Sequence, residues 1–154
     1  MASLLNTKLV TYEEWLQMPE VSEGIEEDVN GEIQIMPAPK GERATIIENL
    51  RDEMAPQIDR QLVRIGVSQF GLVIRKRRLT TCAPDLAVFE RSSVVEREGD
   101  IHSAPQRIVE VLSPANRREE REGKLADYAS LGVAEAWAIS PEAHTVEIAS
   151  IWAN

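Results

Sequence analysis

The sequence predicts an α+β fold, of the α/β kind in which a mixed β-sheet carries helices on its faces, with a β-hairpin near the N-terminus. Three observations carry this. Asn30-Gly31 stands between two strand-like arms in "IEEDVNGEIQIM", a strong hairpin signal because a type I′ turn needs φ above zero at both central residues. Ile46, Ile47, Leu50, Met54, Ile58 and Leu62 recur mainly at three- and four-residue steps, the stripe of an amphipathic helix. "PDLAVFE" and "RIVEVL" are each too short and too β-branched for a helix and suit strands.

Taken in order, Thr11 with Glu14 fits a capping box, so a short helix is predicted from about Tyr12 to Met18, closed by Pro19. The hairpin follows and "PAP" at 37–39 ends it. The striped helix should run from Glu42 to about Leu62, kinked or split at Pro56, which has no N–H to donate. "LVRIGV" and "GLVIRKRRL" read as two strands, ahead of the two runs already quoted. A second helix is predicted to start near Asn116, to carry Lys124, Tyr128 and Leu131 on one side, and to stop at Gly132 as its C-terminal cap. "EAWAIS" and "HTVEIASIW" close the chain as a hairpin turned at Pro141 to Ala143. No repeat, linker or low-complexity segment interrupts this order.

A chain of 154 residues can bury one sizeable core without disulfides, so one domain over 1–154 is expected. One cysteine, no apolar run long enough to span a bilayer, and an N-terminal "MASLLNTKLV" too short and polar for a signal peptide point to a reducing, cytoplasmic setting and no membrane partner. The net charge of −9 argues against coating nucleic acid nonspecifically, since phosphate contacts need Lys and Arg. The charge is uneven, however. "RKRR" at 75–78 holds four of the 17 basic residues, while "EGIEED" at 23–28 and "REEREGK" at 118–124 are dense in acid. Each run alone reads as solvated surface. Together they also fit acids gathered for a metal, with Arg75, Lys76, Arg77 and Arg78 receiving phosphate.

Three acids stand out by position. Asp85 follows Pro84 and opens "DLAVF", Glu110 interrupts "IVEVL", and Glu27 precedes the hairpin turn. If the strands at 85–89 and 107–112 are sheet neighbours, Asp85 and Glu110 can present oxygens to one point, as Mg²⁺ requires. Each has a plainer alternative: Pro-Asp as turn chemistry, Glu110 as an edge residue facing solvent, Glu27 as surface. Lys124, spaced with Tyr128 and Leu131, points to the sheet side of its helix, where it could meet a carboxylate cluster or cover apolar surface with its stem. Cys82, His102 and His144 form no metal or nucleophile pattern and read as structural or surface residues.

"IEEDVNGEIQIMPAP", "APDLAVF" and "RIVEVLSPANRREEREGKLADYASLGVAEAWAISP" resemble the successive signatures of the Uma-type restriction endonucleases, a bacterial family of the PD-(D/E)XK nuclease superfamily. The resemblance runs from about Tyr12 to Ile148. It implies a restriction-endonuclease-like core with Mg²⁺, or Mn²⁺, held by Asp85 and Glu110 and supported by Glu27. The lysine that most of the superfamily carries two residues after the second acid is replaced by Leu112, and Lys124 matches the family's alternative on the following helix, with Tyr128 one turn on. Glu120 stands where the family often has Asp, "KGERAT" lacks the usual histidine, and "EAW…SP" replaces "EYW…DP".

The function expected from this is Mg²⁺-dependent endonucleolytic hydrolysis of DNA phosphodiester bonds. Asp85 and Glu110 would bind metal, Glu27 would assist, and Lys124 would position or activate the attacking water. The alternative is a catalytically inactive nuclease-like module that binds nucleic acid or protein, to which the absent histidine and the acidity point. A homodimer is expected, since nucleases that cut both strands often work in pairs, and the basic and acidic runs could pair between subunits.

Overall fold

Asn30 (φ 52°) and Gly31 (φ 88°) both occupy the left-handed region. They form the predicted I′ turn between β1 (Ile25–Val29) and β2 (Glu32–Met36). The computed structural model describes residues 8–67, 70–115 and 118–151. The first helix, α1 (Tyr12–Trp15), has the expected capping box of Thr11 and Glu14 but ends three residues short of Met18, its chain continuing as turns.

The striped helix is α2 (Glu42–Met54), followed by a single 3₁₀ turn at Ala55–Gln57. Pro56 therefore ends the helix, because it cannot donate to the next turn. Ile58 and Leu62 fall outside it, and Leu62 is 64% exposed. The chain then forms β3 (Val63–Val67) and β4 (Leu72–Arg75).

The run "GLVIRKRRL" is not one strand. Leu72, Val73 and Ile74 are all buried, so β4 is covered on both faces and cannot continue through Lys76, Arg77 and Arg78 without burying an unpaired cation. The chain instead turns, with Arg78 at φ 56°, and returns as β5 (Thr80–Cys82). Next come β6 (Leu86–Glu90), the two-residue strands β7 (Glu96–Arg97) and β8 (Asp100–Ile101), and β9 (Arg107–Val111). The second helix, α3 (Arg118–Leu131), precedes a hairpin of β10 (Glu135–Ser140) and β11 (Thr145–Ser150). Its expected start near Asn116, like Trp152 at the end of the last run, lies outside the described residues. Gly132 (φ 102°) caps α3 as predicted: the N–H groups of Gly132 and Val133 donate to the Tyr128 carbonyl at 3.2 and 3.1 Å.

The strands divide between two mixed sheets where the sequence suggested one. One has the order β2-β1-β5-β4-β8-β7, the other β11-β10-β9-β6-β3. In the second sheet β6 and β9 are antiparallel neighbours, while β9 and β10 are parallel. Alternation along these strands sorts the core into two layers. Leu86, Val88 and Val109 pack with Leu50 and Met54 of α2. Ala87, Phe89 and Ile108 face the other way, against Tyr128 of α3 and Leu72 and Ile74 of β4. Among the described residues no helix is long and apolar enough to cross a membrane.

Candidate active site

The β6–β9 register pairs Leu86 with Val109 and Ala87 with Ile108, which makes Asp85 and Glu110 the next cross-strand couple. Both lie on the face that carries Ala87, Phe89 and Ile108, turned towards α3. Asp85 is 1% exposed. Its Oδ1 accepts from Arg43 Nη2 at 2.7 Å and its Oδ2 from the Val111 N–H at 2.7 Å.

Glu27 arrives from the other sheet. A single backbone pairing, Asp28 with Thr81, ties β1 to β5. It is reinforced by the Asp28 N–H donating to Thr81 Oγ1 at 3.0 Å and the Thr81 hydroxyl donating to Asp28 Oδ2 at 2.7 Å. That junction buries Glu27, whose Oε1 accepts from the Ala83 N–H and from Lys124 Nζ, each at 3.0 Å. Lys124 Nζ also lies 3.5 Å from Glu110 Oε1, an oxygen that accepts in addition from the Tyr128 hydroxyl. β1, β9, α3 and the residue just before β6 thus bring Glu27, Asp85, Glu110, Lys124 and Tyr128 together.

The electrostatics follow from burial and mutual repulsion. Desolvation, together with the Asp85 and Glu27 carboxylates, raises the pKa of Glu110, while Lys124 and the Tyr128 hydrogen bond oppose the rise. Burial by itself would lower the pKa of Lys124, but the carboxylates of Glu110 and Glu27 outweigh it and hold the ammonium above its ordinary value. Burial and Glu110 push the Tyr128 phenol well up. Burial likewise raises Cys82, a free and buried thiol of the core.

Replacing Tyr128 by phenylalanine removes the donor to Glu110 and should move the Glu110 pKa further up. Carbon-13 NMR of the labelled glutamate carboxyls across pH would read this, and an unmoved Glu110 titration would deny the hydrogen bond its role.

The donor set suits a hard cation. Three carboxyl groups, Glu27, Asp85 and Glu110, face two cations, Arg43 and Lys124, and every available donor atom is oxygen. Among the described residues no group of three or more His, Cys, Asp or Glu side chains is placed to hold a metal ion. Two carboxylates are enough for Mg²⁺, which keeps most of its shell as water and substrate oxygen. Asp85 and Glu110 fit that requirement, with Glu27 beside them.

The remaining sequence candidates are placed as follows. Glu120 is exposed on α3, one turn before Lys124. Leu112, at the position where a lysine is usual in the superfamily, donates its N–H to the Ile139 carbonyl at 2.8 Å. In the basic run, Arg75 is bound to Asp127 at 2.8 Å and to Asn30 at 2.9 Å. Lys76 Nζ lies 4.5 Å from the centre of the Tyr12 ring, and Arg77 and Arg78 are exposed. His102 sits edge-on to Tyr12, with ring centroids 6.2 Å apart; His144 is exposed in the β10–β11 turn.

Arg43 is the site residue that sequence reasoning missed. It lies in the "KGERAT" stretch, in the first turn of α2, from which its guanidinium reaches Asp85. Its one signal was position, a long cation just after "PAP", and a lone arginine at a helix start is ordinarily solvated surface.

A family model described as "Uma2: Putative restriction endonuclease" matches residues 12–150. Among solved structures, the chain is similar to the "Crystal structure of a putative nuclease belonging to DUF820" from Anabaena variabilis ATCC 29413, with a TM-score of 0.73 and 23% identity over 94% of this chain and 82% of that one. At that identity the likeness shows the fold, and the α+β, restriction-endonuclease-like class expected from the sequence stands. No curated protein matches.

Proposed function

From the chain's membership of the Uma2 family, we propose that it is a metal-dependent nuclease hydrolysing phosphodiester bonds in DNA, with Asp85, Glu110 and Lys124 at its centre and Glu27 in support. The observation that carries this is the convergence of three carboxyl groups and one lysine from β1, β9, α3 and the residue just before β6 at the end of the β6–β9 pair. A core has no structural need for so many charges in one place, because each costs desolvation energy that an apolar side chain would not.

Asp85 and Glu110 would hold Mg²⁺ or Mn²⁺, which supplies Lewis-acid charge at the scissile phosphate and lowers the pKa of a bound water. The residues of the chain then divide the remaining work. The Val111 N–H and Arg43 fix the Asp85 carboxylate, and the Tyr128 hydroxyl fixes that of Glu110. Lys124, with its pKa raised, keeps its proton at neutral pH. Beside Glu110, at 3.5 Å, it would position or activate the attacking water and offset negative charge on the phosphate.

Supercoiled plasmid incubated with the protein should be nicked or linearised with Mg²⁺ or Mn²⁺, and EDTA should stop the reaction. Plasmid left intact at millimolar concentrations of either metal would defeat the proposal.

A second reading, a nuclease-like module that binds nucleic acid without cutting it, is favoured by one feature. Arg43 and Lys124 already partner all three carboxylates, so the site is largely charge-compensated by its own side chains. Plasmid retained in a gel-shifted but uncut complex would support it.

A further inference from the structure

A recess of about 370 Å³ opens beside the site, between the start of α2 and the β10–β11 turn, with Arg43, Leu112, Arg121 and Ser140 on its wall. Two links join it to the carboxylates. Arg43 lines the recess and also holds Asp85 at 2.7 Å. Leu112 directly follows Val111, whose N–H holds the other Asp85 oxygen. Arg121 stands three residues before Lys124 on α3, so the two share a side of the helix. Lys124 reaches the acids, and Arg121 borders the recess.

We propose that this recess is the phosphate subsite for the nucleic-acid strand next to the bond that is cut, with Arg43 and Arg121 as its cations. The proposal rests on the nuclease reading above. Guanidinium forks match phosphate oxygens in pairs, which a point charge cannot do. Arg43 has only part of its fork engaged: Nη2 donates to Asp85, while Nε is buried and has no acceptor among the described residues. A phosphate oxygen in the recess would supply that acceptor after a small turn of the guanidinium. Ser140 Oγ accepts from the Ala143 N–H at 3.1 Å, which leaves its own O–H to donate.

Glu42 and Glu142 also line the recess and oppose the two arginines, and Arg121 already pairs with Glu147 at 3.2 Å, a contact that an incoming phosphate must compete with. Inorganic phosphate alone should therefore bind poorly, and a phosphate delivered by a longer strand should be held.

A second, larger cleft does not compete for this strand. It measures about 960 Å³ and carries Glu20, Glu26, Glu48, Glu98 and Asp100 against Arg51. Burial first, and then the surrounding Glu26, Glu20 and Glu98, push Asp100 up to about 6, and five carboxylates in that cleft face one arginine. A polyanion is repelled there.

The test is the salt dependence of binding, read by anisotropy of a short fluorescein-labelled DNA duplex of random sequence. The full chain is used, with Ca²⁺ in place of Mg²⁺ so that the strand stays intact. Arg121→Gln should lower the slope of log K against log salt by about one unit, the signature of one lost phosphate contact. Arg121→Lys should restore most of it. Arg64→Gln, on the opposite edge strand of the same sheet, should leave both slope and affinity at the wild-type values. An unchanged slope in Arg121→Gln, with DNA still bound, would overturn the subsite and leave the nuclease reading standing. No binding of duplex or single strand by the wild type at low salt would overturn both.

Discussion

Replacing Asp85 by asparagine is expected to remove Mg²⁺-dependent plasmid cleavage by at least about 100-fold, equivalent to about 2.7 kcal/mol of transition-state stabilisation. The substitution keeps a side-chain oxygen to accept the Val111 N–H, and the local backbone contact with it. What it removes is the negative charge, and with it a hard oxygen ligand and the partner of Arg43. Arg43 has a 28% exposed side chain and can turn to water, so the unpaired cation should cost little. Asp85→Ala is the harsher variant, since it leaves a buried N–H without an acceptor at a cost of about 1–3 kcal/mol. The informative pair of measurements is the cleavage rate and the thermal midpoint of the Asn variant. Loss of cleavage at an unchanged midpoint places Asp85 in the chemistry. Cleavage near the wild-type rate in both variants would remove it from the site.

Part of this site was legible in the sequence because strand physics imposes it. Asp85 and Glu110 sit in runs whose period of two fixes a face, so two short apolar strands placed side by side were enough to set the carboxylates together. Lys124 and Tyr128 were legible through helical spacing, and Gly132 fixed where that helix stops. Glu27 was harder, because "EGIEED" reads as solvated acid. Its burial depends on a single long-range pairing of Asp28 with Thr81, which local pattern does not encode.

The division into two sheets was hidden for the same reason. β7 and β8 are two residues each, too short to carry a period, and β5 (Thr80–Cys82) fell in the gap between "GLVIRKRRL" and "PDLAVFE", where no strand was read. The stripe of α2 misled in the other direction. Ile58 and Leu62 keep the spacing, but Pro56 had already ended the helix, and hydrogen-bond chemistry outranked pattern.

Lys124→Met is expected to destabilise the fold by about 2–3 kcal/mol, near or just below the lower end of the range for breaking a buried ion pair. Met retains most of the aliphatic stem, so the loss is that of charge and not of packing. The Lys124 side chain is 30% exposed and that of Glu110 18%, against 4% for Glu27, so Glu110 keeps some access to water and the cost stays below that of a fully enclosed pair. The pH dependence gives the prediction its sign. Lys124 has its folded pKa raised, so its contribution is present in full below the unfolded lysine value and is lost only as pH rises through the folded one. Across mildly acidic to mildly alkaline pH the wild type keeps it. Glu110 has its folded pKa raised as well, burial being the first cause, and Lys124 is the strongest influence opposing the rise. An acid of this kind costs stability where it is ionised in the fold, and the cost is relieved as pH falls through the folded value. Without the lysine that value moves up, so the deficit of the variant relative to wild type should shrink on acidification. Urea unfolding of both proteins at pH 5 and pH 8 measures this directly. A deficit of equal size at the two pH values would mean that Glu110 does not depend on Lys124 for its charge, and the lysine would then be a packing residue whose stem happens to end among acids.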